Sequence, residues 1–214
     1  ENYVKTVDDE HILQKSITGW ELKPVAYVLG LTNLILHEMD VPDYHYIDSL
    51  KKEYNGIGSK DRVDVILANP PFGKKSSMTS TNEQGDIEKE DLSYNRQDFW
   101  ETTSNKQLNF LQHIKTQLKI NGEAAVVLPD NVLFEGGAGE EVRKQLMKTA
   151  ELHTILRLPT GIFYAQGVKA NVLFFKNKPA NKEAWTKDIW FYDYRTNIHH
   201  TPKKNPMRQE HLLD

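Results

Sequence analysis

Cysteine is absent from the 214 residues. That excludes disulfides, thiolate metal sites and cysteine nucleophiles, and it agrees with a reducing compartment, so a cytoplasmic location is expected. No apolar run approaches the ~20 residues that cross a bilayer as a helix, and no membrane partner is expected. The opening residues Glu1-Asn2-Tyr3-Val4-Lys5 lack the basic and apolar stretches of a secretory signal. A basic excess is missing too: 27 Lys and Arg stand against 30 Asp and Glu. Phosphate neutralisation supplies most of the affinity of a free-standing nucleic-acid-binding module. A chain of this charge would need another domain or subunit for much of its grip on a polyanion.

Phosphate-cradling glycine motifs are also lacking. Gly136-Gly137-Ala138-Gly139 carries no Gly-Lys-Ser/Thr and lacks Gly-x-Gly-x-x-Gly spacing, so it reads as a flexible loop before a helix. The histidines (His11, His37, His45, His113, His153, His199, His200 and His211) show no ligand spacing, and no metal site is expected. Arg195, Lys203, Lys204 and Arg208 form a basic run in a polar tail. Solvated surface is the simpler reading of that run, phosphate contact the sharper one. No internal repeat or low-complexity tract is present.

What is there is an alternation of short apolar strands and amphipathic helices. Residues 1–16 read as the end of a helix running into a turn. A short strand at 16–20 leads to Glu21, and Pro24 opens a helix to about His37. A second short strand at 44–47 leads to Asp48. The run 63–68, Val-Asp-Val-Ile-Leu-Ala, has the composition of a parallel strand buried on both faces. A polar stretch at 73–106 reads as one long loop, and loops of this length are usually functional lids or disordered segments. Helices follow at 108–118 and 139–150. Further strands follow at 123–129, 152–158 and 170–175, and 189–194 is strand-like. The pattern predicts an α/β fold with a mainly parallel sheet, whose ligands sit beyond the carboxyl ends of the strands. Glu21, Asp48 and Asn69 each stand at such an end. A catalytic domain over 1–176 and a polar extension over 177–214 are expected.

The chemistry concentrates in Asn69-Pro70-Pro71-Phe72, directly after the strand at 63–68. Two prolines fix φ and remove two backbone donors. The Pro70 carbonyl is therefore rigid and available as an acceptor, and the Asn69 side-chain oxygen is a second acceptor. Two close acceptors suit a planar exocyclic amine and keep its lone pair aimed at an electrophile. Phe72 offers a face for base stacking, worth about 1–3 kcal/mol per base. An exocyclic amine is a weak nucleophile, so positioning and electrostatics must carry the catalysis. A rigid turn ending a strand is the structural alternative.

The segment Asp64-Val65-Ile66-Leu67-Ala68-Asn69-Pro70-Pro71-Phe72-Gly73 resembles the catalytic motif of amino-group DNA methyltransferases. Further segments narrow the resemblance to modification subunits of type I restriction-modification systems. They are Gly19-Trp20-Glu21-Leu22-Lys23-Pro24, then 31–37, 124–134, Leu156-Arg157-Leu158-Pro159-Thr160-Gly161-Ile162-Phe163, and 167–175. The resemblance runs over nearly the whole chain. It implies a Rossmann-like methyltransferase fold that uses S-adenosylmethionine to methylate the N6 amino group of an adenine flipped out of double-stranded DNA. Asn69 and Pro70 would hold that amine, Phe72 would stack on the base, and Pro71 would line the wall toward the cofactor. Glu21 would bind the cofactor's ribose hydroxyls and Asp48 its adenine, although Ile47 replaces the glycine that often precedes this aspartate. Helix-dipole and turn-capping roles are the structural alternatives for those two carboxylates. Phe163 is a weaker candidate for a second contact with the base, with a core position as its alternative. The implied partners are a specificity subunit, a restriction subunit and a second modification subunit.

The family's glycine-rich cofactor motif and its strand, which would lie mid-sheet, are not found here. The sheet is therefore expected to be incomplete, the C-terminal partner-binding region to lie beyond Asp214, and the isolated piece to be inactive. Two enzyme readings compete: a methyltransferase acting on a protein glutamine amide, and one acting on an RNA guanine amine. A scaffold subunit that has lost its chemistry is the non-enzyme reading. A nucleotide-dependent oxidoreductase is more distant, since no dinucleotide fingerprint is present.

Overall fold

The computed structural model describes residues 4–51, 58–73, 77–81, 87–91, 93–163, 167–195 and 200–212. They fall into two units, Glu1–Tyr54 and Asn55–Asp214.

The first unit begins with α1 (Val7–Lys15). Thr6 Oγ1 accepts from the Asp9 amide at 3.1 Å while Asp9 Oδ2 accepts from the Thr6 amide at 3.0 Å, which satisfies two otherwise orphaned donors. Next come β1 (Thr18–Glu21), α2 (Pro24–Leu36) and β2 (Asp43–Tyr46). Pro24 occupies the first turn of α2, where its missing N–H costs nothing. β1 and β2 pair in parallel, from Thr18 opposite Asp43 to Glu21 opposite Tyr46. Tyr44 organises the packing here. Its ring stacks on Tyr27 at 5.2 Å. A Cβ on Gly19 would come within 2.3 Å of this ring, and one on Gly30 within 2.6 Å of its hydroxyl. Both glycines are therefore steric requirements. No residue of α2 is buried, and Val25, Val28, Leu29, Ile35 and Leu36 are all more than half exposed.

The second unit carries a five-stranded sheet. Its strands are β3 (Val63–Ala68), β6 (Leu118–Pro129), β7 (Ala150–Leu158), β8 (Ala170–Asn177) and β9 (Trp190–Asp193), in the order β3-β6-β8-β7-β9. β3 runs parallel to β6, and β9 parallel to β7. β8 is antiparallel to both of its neighbours, so this sheet is mixed where a mainly parallel one is expected. The reason is the connection at 159–169, which holds no described helix: a parallel neighbour needs a long crossover, an antiparallel one only a loop. The helices α3 (Lys106–Gln117), α4 (Asn131–Phe134) and α5 (Ala138–Thr149) accompany the sheet. Leu108, Leu111 and Ile114 of α3 and Val142 and Leu146 of α5 bury against Val126, Leu128, Ile155, Leu173 and Phe175 of the strands.

β3 departs from the expected strand buried on both faces. Ile66 and Ala68 pack on the core, whereas Val65 and Leu67 are 63% and 81% exposed. Alternate residues of a strand point to opposite faces, so one parity finds the core of this unit and the other points away from it. The stretch 73–106, read from sequence as one loop, holds the antiparallel strands β4 (Ser77–Thr81) and β5 (Ile87–Asp91). It also holds buried Tyr94, Arg96 and Asn105. The polar segment after β8 is tied down as well. The Trp185 amide donates to the Met147 carbonyl at 2.8 Å, and Thr186 Oγ1 accepts from the Leu152 amide at 2.9 Å. Among the described residues no helix is long and apolar enough to cross a membrane.

Candidate active site

β3 is held in register by β6 up to the pair Ala68 and Val126, and the chain then turns out through Asn69-Pro70-Pro71-Phe72. Pro70 is buried, while Asn69 and Pro71 are exposed and Phe72 is half-buried. The buried ring of Pro70 anchors the turn, and the exposed Asn69 side chain stands beside it with its acceptor open to a ligand. The Phe72 ring meets Phe163 edge-to-face, centroids 5.2 Å apart at an interplanar angle of 82°. Phe163 comes from the connection between β7 and β8, so the sheet brings together two aromatic residues that sequence reading had linked only through a family resemblance. Gly73 follows. A Cβ placed there would lie 3.9 Å from Lys106 Cδ, so the start of α3 passes beside the turn. That start is fixed by Asn105, whose Oδ1 accepts from the Gln107 amide at 3.0 Å.

A charged cluster sits at the same carboxyl rim of the sheet. Asp130 directly follows β6. Arg195 Nη1 donates to its Oδ2 at 3.1 Å, Arg195 Nη2 pairs with its Oδ1, and Asn171 Nδ2 donates to Oδ1 at 2.8 Å. Burial works to raise the Asp130 carboxyl, but the hydrogen bonds from Arg195 and Asn171 and the charges of Arg195 and Arg157 outweigh it. The net result is a carboxyl held below its ordinary value. Arg195 is thus neither a solvated tail residue nor a free phosphate contact, because its side chain is only 16% exposed. Sequence reading missed this role. The nearest signal was the charge of Asp130 directly after an apolar strand.

In the first unit, Glu21 and Asp48 share one rim. Glu21 ends β1 opposite Tyr46, and the Ile47 amide donates to the Glu21 carbonyl at 3.2 Å, one residue before Asp48. Glu21 Oε1 accepts from the Lys23 amide at 2.6 Å, at the entrance to α2. Asp48 is buried, and its Oδ1 accepts from the Leu50 amide at 2.9 Å. The turn-capping contact of Asp48 is therefore present, and the Glu21 carboxylate stands two residues before the N-cap of α2. These contacts fix the direction of both carboxylates. Paired carboxylates at the ends of parallel strands fit the hydroxyls and amine of a nucleoside, so these residues suit the expected cofactor. Among the described residues no cluster of His, Asp and Glu could hold a metal ion.

Known proteins resemble this chain over nearly its whole length. The family model for N-6 DNA methylase matches residues 1–214. The methylase subunit of the type I restriction enzyme StySPI from Salmonella potsdam is 41% identical over 208 residues, 94% of this chain. The EcoKI methylase subunit of Escherichia coli is likewise 41% identical over 94% of the chain. The chain spans 36% of the length of either relative. The crystal structure of the EcoKI M protein superposes with a TM-score of 0.76 at 39% identity, covering 98% of this chain and 42% of that one. A modification subunit of a putative type I restriction enzyme from Vibrio vulnificus gives a TM-score of 0.71 at 33% identity, over 99% of this chain and 42% of its own. The crystal structure of a putative class I S-adenosylmethionine-dependent methyltransferase from Listeria monocytogenes is also similar in fold, with a TM-score of 0.54 over 88% of this chain and 53% of its own, at 16% identity.

Proposed function

The chain belongs to the N-6 DNA methylase family, and from that membership we propose that it methylates the N6 amino group of adenine in double-stranded DNA. It does so as the catalytic part of a type I modification subunit. The observation that carries this reading is the turn after β3, where Asn69 and buried Pro70 stand beside an aromatic pair, Phe72 and Phe163.

The target adenine leaves the duplex, because its amine is unreachable inside the stack. Phe72 takes the base on its ring, and Phe163 limits how far that ring can tilt. The Asn69 side-chain oxygen and the Pro70 carbonyl accept from the two amine hydrogens. This draws the nitrogen toward tetrahedral geometry and holds its lone pair in one direction. Pro71 contributes no N–H that could compete for those acceptors. Glu21 would hold the ribose hydroxyls of S-adenosylmethionine, and Asp48 its adenine. When bound, that cofactor supplies an electrophilic methyl group.

The net charge of −3 fits a division of labour in which a specificity subunit reads the DNA sequence and supplies much of the phosphate contact. A restriction subunit and a second modification subunit complete the assembly, which works in the cytoplasm. The test supplies tritiated methyl donor to the full polypeptide with its partner subunits, together with adenine-containing duplex DNA, RNA or protein. Label recovered as N6-methyladenine in DNA is expected. Label in RNA or in protein glutamine, or in none of the three, overturns the reading.

A further inference from the structure

Arg195 makes contacts that reach beyond its ion pair. Its Nε donates to the Leu158 carbonyl at 3.2 Å, and its Nη2 lies 3.4 Å from the Ala170 carbonyl and 3.4 Å from Asn171 Oδ1. Leu158 is the last residue of β7 and Ala170 the first of β8. These are the two stems of the connection that carries Phe163. The Asp130 amide adds a third tie, donating to the Lys169 carbonyl at 3.0 Å. One guanidinium therefore joins both stems to the carboxylate that follows β6. The Asp130 carboxylate also meets Asn171, which is fully buried, and the charge of Arg157, whose Nη1 donates to Asp193 Oδ2 at 2.9 Å.

We propose that the Arg195–Asp130 pair is a positioning device for the target-base pocket, holding the ends of β7 and β8 so that Phe163, five residues after Leu158, meets Phe72. The inference rests on the proposed function for its catalytic consequence, but its structural part stands alone. The planar fork of arginine is what the site requires. Two of its nitrogens engage the carboxylate while the remaining donors reach carbonyls in other directions, and a lysine ammonium cannot span that set. Phe163 has no comparable anchor of its own among the described residues apart from its ring contact with Phe72. The rim would then set the distance between the two rings, and with it the slot available to a base.

The experiment uses the full polypeptide with its partner subunits and four forms: unsubstituted, Arg195→Lys, Phe163→Ala, and the two combined. Amide hydrogen exchange over 158–170 is measured alongside kcat and KM for DNA methylation. Arg195→Lys is expected to speed exchange in this segment about tenfold and to lower kcat/KM about tenfold, the size of one lost charge-assisted hydrogen bond. In the Phe163→Ala background the same substitution should cost less than about twofold, because its effect passes through that ring. Asp130→Asn serves as the second route, should Arg195→Lys fold poorly. Unchanged exchange, or losses that multiply independently in the combined variant, overturns the proposal. Absence of methylation by the unsubstituted protein would count against the functional reading alone, since exchange still reports on the clamp.

Discussion

Phe72 and Phe163 meet edge-to-face at 5.2 Å, although one follows the edge strand β3 and the other lies between β7 and β8. In the sheet order those strands are separated by β6 and β8, so the contact exists only because both connections leave from the same end of the sheet. Stacking on an aromatic ring is worth about 1–3 kcal/mol per base. Phe72→Ala should therefore lower kcat/KM for DNA methylation by about 5- to 150-fold, and Phe163→Ala by the lower part of that range. A 2-aminopurine at the target position, whose fluorescence rises on extrusion, should report the same order. Equal activity in both variants and the unsubstituted protein would show that neither ring holds the base.

Asn69→Ala removes one of the two acceptors aimed at the amine. Loss of a preorganised polar contact of this kind typically costs about 10²–10³ in kcat. Because Asn69 is exposed, the melting temperature should move little. Binding of S-adenosylmethionine, measured calorimetrically, should stay within about twofold, since the loss is proposed to fall on the other substrate. A large loss of cofactor affinity would contradict the division of roles between Asn69 and the Glu21 and Asp48 pair.

Gly30→Ala tests the packing of the first unit. The new Cβ would sit 2.6 Å from the Tyr44 hydroxyl and 2.9 Å from Cζ. Overpacking costs about 1–3 kcal/mol, which urea unfolding can resolve. Tyr44→Phe removes the closer of the two contacts. The double variant should therefore recover part of the loss, whereas independent effects would add.

The Asp130 carboxyl lies below its ordinary value of 3.8, because hydrogen bonds and charge from Arg195 and its neighbours outweigh burial. A depressed acid stabilises the fold at pH above its unfolded value, and that contribution disappears as pH falls through the lower folded value. Stability from this pair should thus be constant from neutral pH down to about 5 and decline below about 4. Asp130→Asn should lower stability at neutral pH and flatten the acid limb. An unaltered acid limb would mean that the ion pair contributes nothing to folding.

Much of the site was legible in the sequence because it depends on local chemistry. Pro70 and Pro71 fix their own backbone, and Asn69 carries its acceptor wherever the turn lies. The strand at 63–68 declares itself by composition. Glu21 and Asp48 were placed at strand ends by the apolar runs preceding them. Their contacts with the Lys23 and Leu50 amides depend on the backbone path after each strand, which apolar runs do not specify.

Other features depended on pairings that no local pattern encodes. The reversed direction of β8 shows only in its pairing with β6 and β7, because apolar alternation is the same in parallel and antiparallel strands. The one-sided exposure of β3 was hidden because Val and Leu read as buried whichever face finds cover. Arg195 looked like one cation in a basic tail. Its partners Asp130, Leu158 and Ala170 are distant in sequence, and β9 had to pair with β7 before the guanidinium could reach them.

The sequence by itself determined the alternation of strands and helices, the rigid Asn69-Pro70-Pro71-Phe72 turn and the carboxylates at Glu21 and Asp48. These follow from side-chain volume, polarity and fixed φ, all properties of short segments. Tertiary structure alone decided that Phe163 faces Phe72 and that Arg195 closes on Asp130. Both are contacts between elements far apart in the chain, and only the hydrogen-bonded order of the sheet brings such elements to one rim.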